Sequence, residues 1–501
     1  MLQMKYVIGV DLGTSAVKVL LVSSEGEVAM EASEEYPLHQ PRSGYSEQDP
    51  EDWVRGTIAA LNSVVKQSGV NPELIEGISF SGQMHGLVLL DQELKPLRHA
   101  ILWNDTRTTE QCRQIEHTLG DDLLRITKNP ALEGFTLPKI LWVKQHEPEL
   151  FARAKVFVLP KDYLRYRLTG QIHMDYSDAA GTLLLDVANK VWSDRVLAAF
   201  DLPASLCPPL VESHGYVGNL LPEIAQATGL TTATRVFAGG ADNACGAIGS
   251  GILQAGLTMA SIGTSGVVLS YEDNKNQDFG GKVHFFNHGK QDAYYAMGVT
   301  LAAGYSMSWF RNTFAPGKSF SELLARVSEV PPGSNGLIFT PYLVGERTPH
   351  ADAVIRASFI GLDGSHTLDD MGRAVMEGIT FSLNESIELF RQAGIKIDRI
   401  VSIGGGAKNE DWLHMQADIF NAEIVQLANE QGPGMGAAML AALGCGWFAS
   451  LEECAAKFIR HAKTYKPDAE RVRTYAKLFD IYKQVYGQTK SLNEQLAAFR
   501  P

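Results

Sequence analysis

No lysine/arginine block, no CxxC pair and no uninterrupted apolar stretch of membrane length occurs in this 501-residue chain, and each absence removes a class of function. Without a basic block, and with a net charge of −13, the chain offers no nucleic-acid surface, so a cytosolic enzyme is the default expectation. An anionic substrate would have to be met by local backbone donors or by a metal ion. The five cysteines (Cys112, Cys207, Cys245, Cys445 and Cys454) are scattered and odd in number, which argues against a disulfide framework or a zinc site and for reduced, mostly buried thiols. Residues 243–271 carry no charge, but six glycines and many Ser/Thr interrupt them, so they read as buried soluble structure and not as a membrane span. The N-terminal MLQMKYVIGVDLG enters a strand-like run at once and lacks the basic-apolar-small order of a signal peptide. GxxxxGK[ST] is absent, and no complete GxGxxG follows a first strand with an acid about 20 residues on, so neither a P-loop nor a Rossmann site is expected.

What is present is an ordinary globular composition, 45% hydrophobic and 20% charged, over a length that suits two domains of roughly 250 residues. The chain also repeats itself. Asp11-Leu-Gly-Thr-Ser15 matches Ser261-Ile-Gly-Thr-Ser265, each between short apolar, β-branched runs that predict a hairpin. A Gly-Thr-Ser turn exposes backbone N–H groups and two small hydroxyls, which suits a phosphate chain, and two such turns read as two jaws on one nucleotide. Only the first copy has a carboxylate, Asp11, able to hold Mg²⁺; the second has Ser261.

Further stretches carry chemistry. Gly239-Gly240-Ala241-Asp242-Asn243 sets an isolated carboxylate in a glycine-rich turn ahead of a helix predicted over 244–250. Ser81-Gly82-Gln83-Met84-His85-Gly86 follows a short strand, and its two glycines around a polar tip fit either a close ligand approach or a structural histidine. In Trp103-Asn104-Asp105, Asp105 reads equally as the N-cap of a helix from Thr106 or as a partner for sugar hydroxyls beside an indole face. Asp49-Pro50 marks a capped helix start, Leu368–Gly394 a long amphipathic helix, and residues 450–501 surface helices. Gly404-Gly405-Gly406-Ala407 after a strand, with Asn409 and a helix from Glu410, offers an unobstructed backbone platform and looks like a second copy of the Gly239–Asn243 stretch. Gly432-Pro433-Gly434 opens an uncharged helix to about Phe448, Glu346-Arg347 reads as charges that pair with each other or with their neighbours, and Asp175–Thr182 stays open in role.

Taken together, Asp11–Ser15, Gln83–Gly86, Trp103–Asp105, Ser177–Gly181, Gly239–Asn243, Gly263–Ser265, Gly345–His350 and Gly404–Ala407 resemble the FGGY carbohydrate kinases over nearly the whole chain. The resemblance implies an α/β fold of two internally duplicated, ribonuclease-H-like (actin-like ATPase) domains, residues 1–251 and 252–501, with the active site in the cleft between them. It further implies an ATP- and Mg²⁺-dependent kinase, cytoplasmic, bound to no nucleic acid or membrane, with a homodimer suggested. Ser81–Gly86, Trp103–Asp105 and Gly345–His350 point within the family to phosphorylation of D-xylulose at its C5 hydroxyl; another polyol, ketose or sugar acid, or a non-catalytic sugar sensor, are the alternatives. By the resemblance, Asp242 is the general base and Asp11 the Mg²⁺ residue, acting through water. Thr14, Ser15, Gly263, Thr264 and Ser265 hold phosphates, Gly405, Gly406, Ala407 and Asn409 flank the adenosine, and Met84, His85, Trp103 and Asp105 meet the sugar.

Overall fold

The structure is a computed structural model and describes residues 4–500; the first three residues of the N-terminal stretch read for a leader, and Pro501, lie outside the described residues. β1 (Tyr6–Leu12) and β2 (Ala16–Ser23) form the expected hairpin around Gly13-Thr14-Ser15, with Leu12 opposite Val17. Both strands are buried along most of their length, which explains apolar runs in place of strict alternation. β3 (Val28–Glu35) alternates half-buried and exposed residues, as befits an edge strand. Asp49 caps α1 (Pro50–Ser68) by accepting the Glu51 N–H at 3.0 Å. β4 (Ile75–Gly82) then runs parallel to β1 and aligns Gly82 with Leu12. After α2 (Pro160–Thr169) and the short α3 (Tyr176–Ala180), β5 (Tyr216–Asn219) and β6 (Arg235–Phe237) complete a sheet of order β5-β6-β4-β1-β2-β3. Gly240–Ala241 extends it beside the end of β4, and α4 (Asp242–Gly249) begins at the next residue.

The second half repeats this plan. β7 (Gly256–Ile262) and β8 (Gly266–Glu272) are the second hairpin, and β9 (His284–Asn287) and β10 (Tyr294–Thr300) extend its antiparallel side. α5 (Gly304–Phe314) and the long α6 (Leu368–Gln392) follow, the latter capped by Thr367. β11 (Ile397–Gly404) pairs in parallel with β7, α7 (Glu410–Phe420) leads to β12 (Glu423–Leu427), and α8 (Gly432–Gly444), β13 (His461–Tyr465) and α9 (Ala469–Leu496) close the chain. The sheet order is β9-β10-β8-β7-β11-β12-β13. Three antiparallel strands followed by two parallel ones therefore occur in both sheets, β3-β2-β1-β4-β6 and β10-β8-β7-β11-β12. The α/β, internally duplicated two-domain architecture is thus as expected.

The registers correct one sequence likeness. Ile262 pairs with Gly404 as Leu12 pairs with Gly82, so the counterpart of Gly404 is Gly82 and not Gly239. The helix that answers to α4 is α8, since each follows the second parallel strand. These two helices pack on one another at backbone distance: a Cβ on Gly436 would lie 1.9 Å from the Cys245 carbonyl oxygen, and one on Gly249 would lie 2.7 Å from that of Gly432. Gly436, and Gly434 against Leu20, thus serve packing between the halves.

Other boundaries also move. α8 ends at Gly444, short of Phe448. Residues 450–501 are not all surface helix, because β13 pairs with β12 and α9 buries Tyr475, Phe479, Tyr482 and Val485. β13 is exposed at four of its five residues, so its polar sequence gave no strand signal. The five cysteines are free thiols, and no helix among the described residues is long and apolar enough to cross a membrane.

Candidate active site

Asp242 opens α4 immediately after the glycine turn, so its carboxylate leaves the sheet where β4 and β1 also end. The turn needs Gly239, whose φ is +80° and where a Cβ would meet the Phe80 carbonyl oxygen at 2.2 Å. Ala241, with φ −55°, carries its side chain without strain. Asp242 Oδ1 accepts the Asn243 N–H at 2.7 Å. Burial and the like charge of Asp11 push the Asp242 carboxyl up to about 7. Asp11, on β1 across from Lys18 and next to Ser81 of β4, is itself raised by burial, with Ser81 and Lys18 opposing.

The residues expected to meet the sugar converge. Met84, His85, Trp103, Asp105 and Asp242 all line one cavity of about 390 Å³ at which Ser265 of the second hairpin also arrives. His85 has φ +69°, and its Nδ1–H donates to the Gly181 carbonyl at 2.7 Å. A carbonyl can only accept, so this bond fixes the tautomer and leaves Nε2 as an acceptor. Burial holds the imidazole down to about 3, so it stays neutral. Trp103 is 47% exposed, and its indole N–H donates to Thr14 Oγ1 at 2.9 Å. Asp105 is fully engaged already: Oδ2 accepts the Ser46 N–H at 2.7 Å and the Arg107 guanidinium at 2.6 Å. The helix expected from Thr106 begins instead at Thr109, with Thr108 preceding it, because Asp105 is turned to Arg107 and Ser46.

The two turns differ in how they are braced. In the first, Thr14 Oγ1 also donates to Gln83 Oε1 at 3.3 Å and the Thr14 carbonyl accepts Gln48 Nε2 at 2.6 Å, while Ser15 is exposed. In the second, Gly263, Thr264 and Ser265 are all exposed, and the first amides of α5 seat on the turn, Gly304 N–H on the Gly263 carbonyl at 2.8 Å and Tyr305 N–H on that of Thr264 at 3.1 Å. On the glycine platform Gly405 is exposed, whereas Gly406 and Ala407 are buried and Gly406 lies against Ile262. Asn409 caps α7 by accepting the Trp412 N–H at 2.9 Å.

A recessed carboxylate with a raised pKa, a cavity that holds a neutral imidazole and an indole, a second turn that reaches it through Ser265 and a first turn that touches its Trp103 through Thr14 make an arrangement suited to activating a hydroxyl beside a phosphate chain. Comparison with known proteins agrees. The model of the FGGY family of carbohydrate kinases, N-terminal domain, matches residues 6–249, and that of its C-terminal domain matches residues 258–445. The chain belongs to this family. It is 63% identical over 497 residues to the xylulose kinase of Bacillus subtilis, covering 99% of this chain and 100% of that one. The ligand-bound xylulose kinase of Lactobacillus acidophilus superposes with a TM-score of 0.93 at 28% identity, covering 98% of this chain and 100% of that one. The gluconate kinase of the same organism superposes equally well, with a TM-score of 0.93 at 28% identity over 99% of this chain and 100% of that one.

As a member of this family, the chain has cavity residues that sequence reasoning missed. Phe135, His284 and Phe286 form an aromatic wall, with His85 edge-on to Phe135 at 4.7 Å and His284 stacked on Phe286 at 5.5 Å. His284 and Phe286 alternate on β9 and so share a face, a spacing of two that four residues of strand were too short to announce, while Phe135 comes from a distant segment. Asn243 and Arg347 were closer to hand, each already inside a motif noted in the sequence. Glu346 does not simply pair with Arg347: its carboxylate accepts the backbone N–H groups of Leu301 at 3.0 Å and Arg347 at 2.8 Å and the Ser382 hydroxyl at 3.0 Å, and this sends the Arg347 side chain to the cavity.

Proposed function

We propose that this protein phosphorylates D-xylulose with ATP, giving D-xylulose 5-phosphate and ADP. The full-length likeness to the xylulose kinase of Bacillus subtilis supports the acceptor, and the observation that carries the chemistry is Asp242, raised to about 7 in the same cavity as Met84, His85 and Trp103. In this reading Asp242 takes the proton of the C5 hydroxyl as the new phosphorus–oxygen bond forms, a contribution of roughly 10²–10⁴ in rate. The neutral His85 accepts a hydroxyl proton at Nε2, and the Trp103 indole covers an apolar face of the sugar. Thr14, Ser15, Gly263, Thr264 and Ser265 would grip the phosphates from two sides, and Gly405, Gly406, Ala407 and Asn409 would border the adenosine, Gly405 being the exposed member.

Asp11 and Asp242 are hard oxygen donors, and burial together with the Asp11 charge raises the Asp242 carboxyl, so the pair fits a divalent cation. Asp11 would hold Mg²⁺ through water, and the ion would neutralise phosphate charge when bound. The reading divides the chain near residue 251, requires the two halves to close on their substrates, sets the enzyme in the cytoplasm, and takes a homodimer as its assembly.

The cationic Arg347 in the cavity is the observation a sugar-acid acceptor would use, so gluconate belongs in the test. Purified protein with Mg-ATP is assayed for ADP release with D-xylulose, D-ribulose, L-ribulose, glycerol, gluconate and no sugar. A clear preference for D-xylulose is expected; activity with a different acceptor alone would discard the xylulose assignment and keep the kinase.

A further inference from the structure

The segment Asp175–Gly181 lines no part of the cavity, yet it holds His85, which does, and Ala241, the neighbour of Asp242, which does. At one end the Ala241 N–H, one residue before Asp242, donates to Ser177 Oγ at 2.9 Å. At the other, the Gly181 carbonyl accepts His85 Nδ1–H at 2.7 Å, and Gly181 has no Cβ because one would meet the imidazole at 2.8 Å. The segment is anchored from behind by a fully buried charge cluster. Lys161 Nζ lies 2.7 Å from Asp162 Oδ1, 2.9 Å from Asp175 Oδ1 and 2.9 Å from Asp178 Oδ2. The Ser177 hydroxyl donates to Asp175 Oδ2, which also accepts the Ser177 N–H at 2.9 Å and the Ser213 hydroxyl at 2.8 Å. Arg165 Nη1 joins Asp162 at 3.1 Å and donates to the Ala238 carbonyl at 2.6 Å. The turn that carries Asp242 is thus gripped at Ala238 and at Ala241 by the same cluster.

Three carboxylates face two cations here, all with fully buried side chains. Burial and the neighbouring carboxylates push Asp178 well above its usual range, while against burial Lys161, Ser177 and Ser213 hold Asp175 low. Such a cluster is a poor device for stability, because well-packed apolar side chains would avoid its desolvation cost. What it supplies is a single fixed geometry of donors and acceptors.

We propose that Ser177, backed by Asp175 and Lys161, is a positioning residue for Asp242, and that the same one-turn segment sets His85 through Gly181, so that base and sugar-facing imidazole are held by one rigid piece. This rests on the kinase reading above. Ser177→Ala removes the acceptor of the Ala241 N–H and touches neither substrate. Its control is Ser213→Ala, which removes another hydroxyl from the same Asp175 but not the link to Ala241.

The two variants and the wild type are compared in Tm, kcat, KM for ATP and the pH profile of kcat/KM for the sugar. Ser177→Ala is expected to lower kcat by roughly tenfold or more through misplacement of the base. KM for ATP stays at the wild-type value, and the acid limb moves to lower pH as water reaches Asp242 and its burial lessens. Ser213→Ala is expected to lose Tm alone. Loss of Tm by both variants with kcat and acid limb unmoved in both would overturn the proposal, as would equal kinetic losses in both. A wild type inactive with every acceptor would remove the kinase reading itself, whereas an active wild type with an unaltered Ser177→Ala removes only this inference.

Discussion

The two Gly-Thr-Ser hairpins share strand pairing, register and neighbouring strands, yet they differ in their aspartates. Asp11 on β1 becomes Ser261 on β7, and Asp242 at the head of α4 becomes Gly432 at the head of α8. The second turn instead receives the first amides of α5, and its three residues are exposed. Duplication therefore accounts for the same turn backbone in both halves, whereas the two aspartates that the proposed reaction uses stand in one half alone. The unequal halves remain interlocked, since α8 packs against α4 at distances only glycine permits.

The comparison is tested hardest at Asp242. Asp242→Ala should fold normally and lose sugar-dependent turnover by roughly 10²–10⁴-fold, read as ADP release with and without sugar. In the wild type the base must be ionised, so kcat/KM for the sugar should fall as pH drops through about 7 and reach a plateau above it. Near-normal turnover of the variant would place the chemistry elsewhere. Asp11→Asn comes next, with an expected loss of about 10²-fold in kcat at fixed Mg²⁺. Because the Asp11 charge helps raise Asp242, the residual activity of this variant should show its acid limb at lower pH. An unmoved limb would separate the two carboxylates.

A smaller effect concerns stability. The Asp242 carboxyl titrates near 7 in the folded chain and near 4 in the unfolded one, so the folded state binds the extra proton between those values. Its contribution therefore favours folding at low pH and is lost as pH rises toward 7. Asp242→Asn lacks this loss: its Tm should exceed that of the wild type by a few degrees at pH 8, with the gap closing toward pH 4. Equal Tm values across that range would mean that the carboxylate is solvated in solution.

Much of this was legible before the structure because it is local. A Gly-Thr-Ser turn between apolar runs, or an acid after two glycines, is written within a few residues, and the FGGY likeness assigns such pieces together. What the sequence hid is what comes from separate places. Phe135 shares a wall with His284 and Phe286, which alternate on β9 far along the chain from it, and β13 is too polar to announce itself. The matching of Gly239 with Gly404 failed because glycine runs look alike, while only strand register tells Gly82 from Gly239. Asp105 could be a cap or a sugar ligand on paper; its carboxylate is engaged by Ser46 and Arg107.

The smallest effect sharpens the comparison at the other hairpin. If Ser261 is only the vacated place of a carboxylate, Ser261→Ala should leave kcat and KM for ATP within about twofold of the wild type. Ser261→Asp should not be silent, because it sets a negative charge at the position matching Asp11 without the second carboxylate that α4 provides to the first half. In the proposed reading that charge would oppose the phosphates, and KM for ATP should rise while KM for the sugar stays put. A rise in both constants, or in neither, would mean that the second turn does not face the nucleotide as its likeness to the first implies.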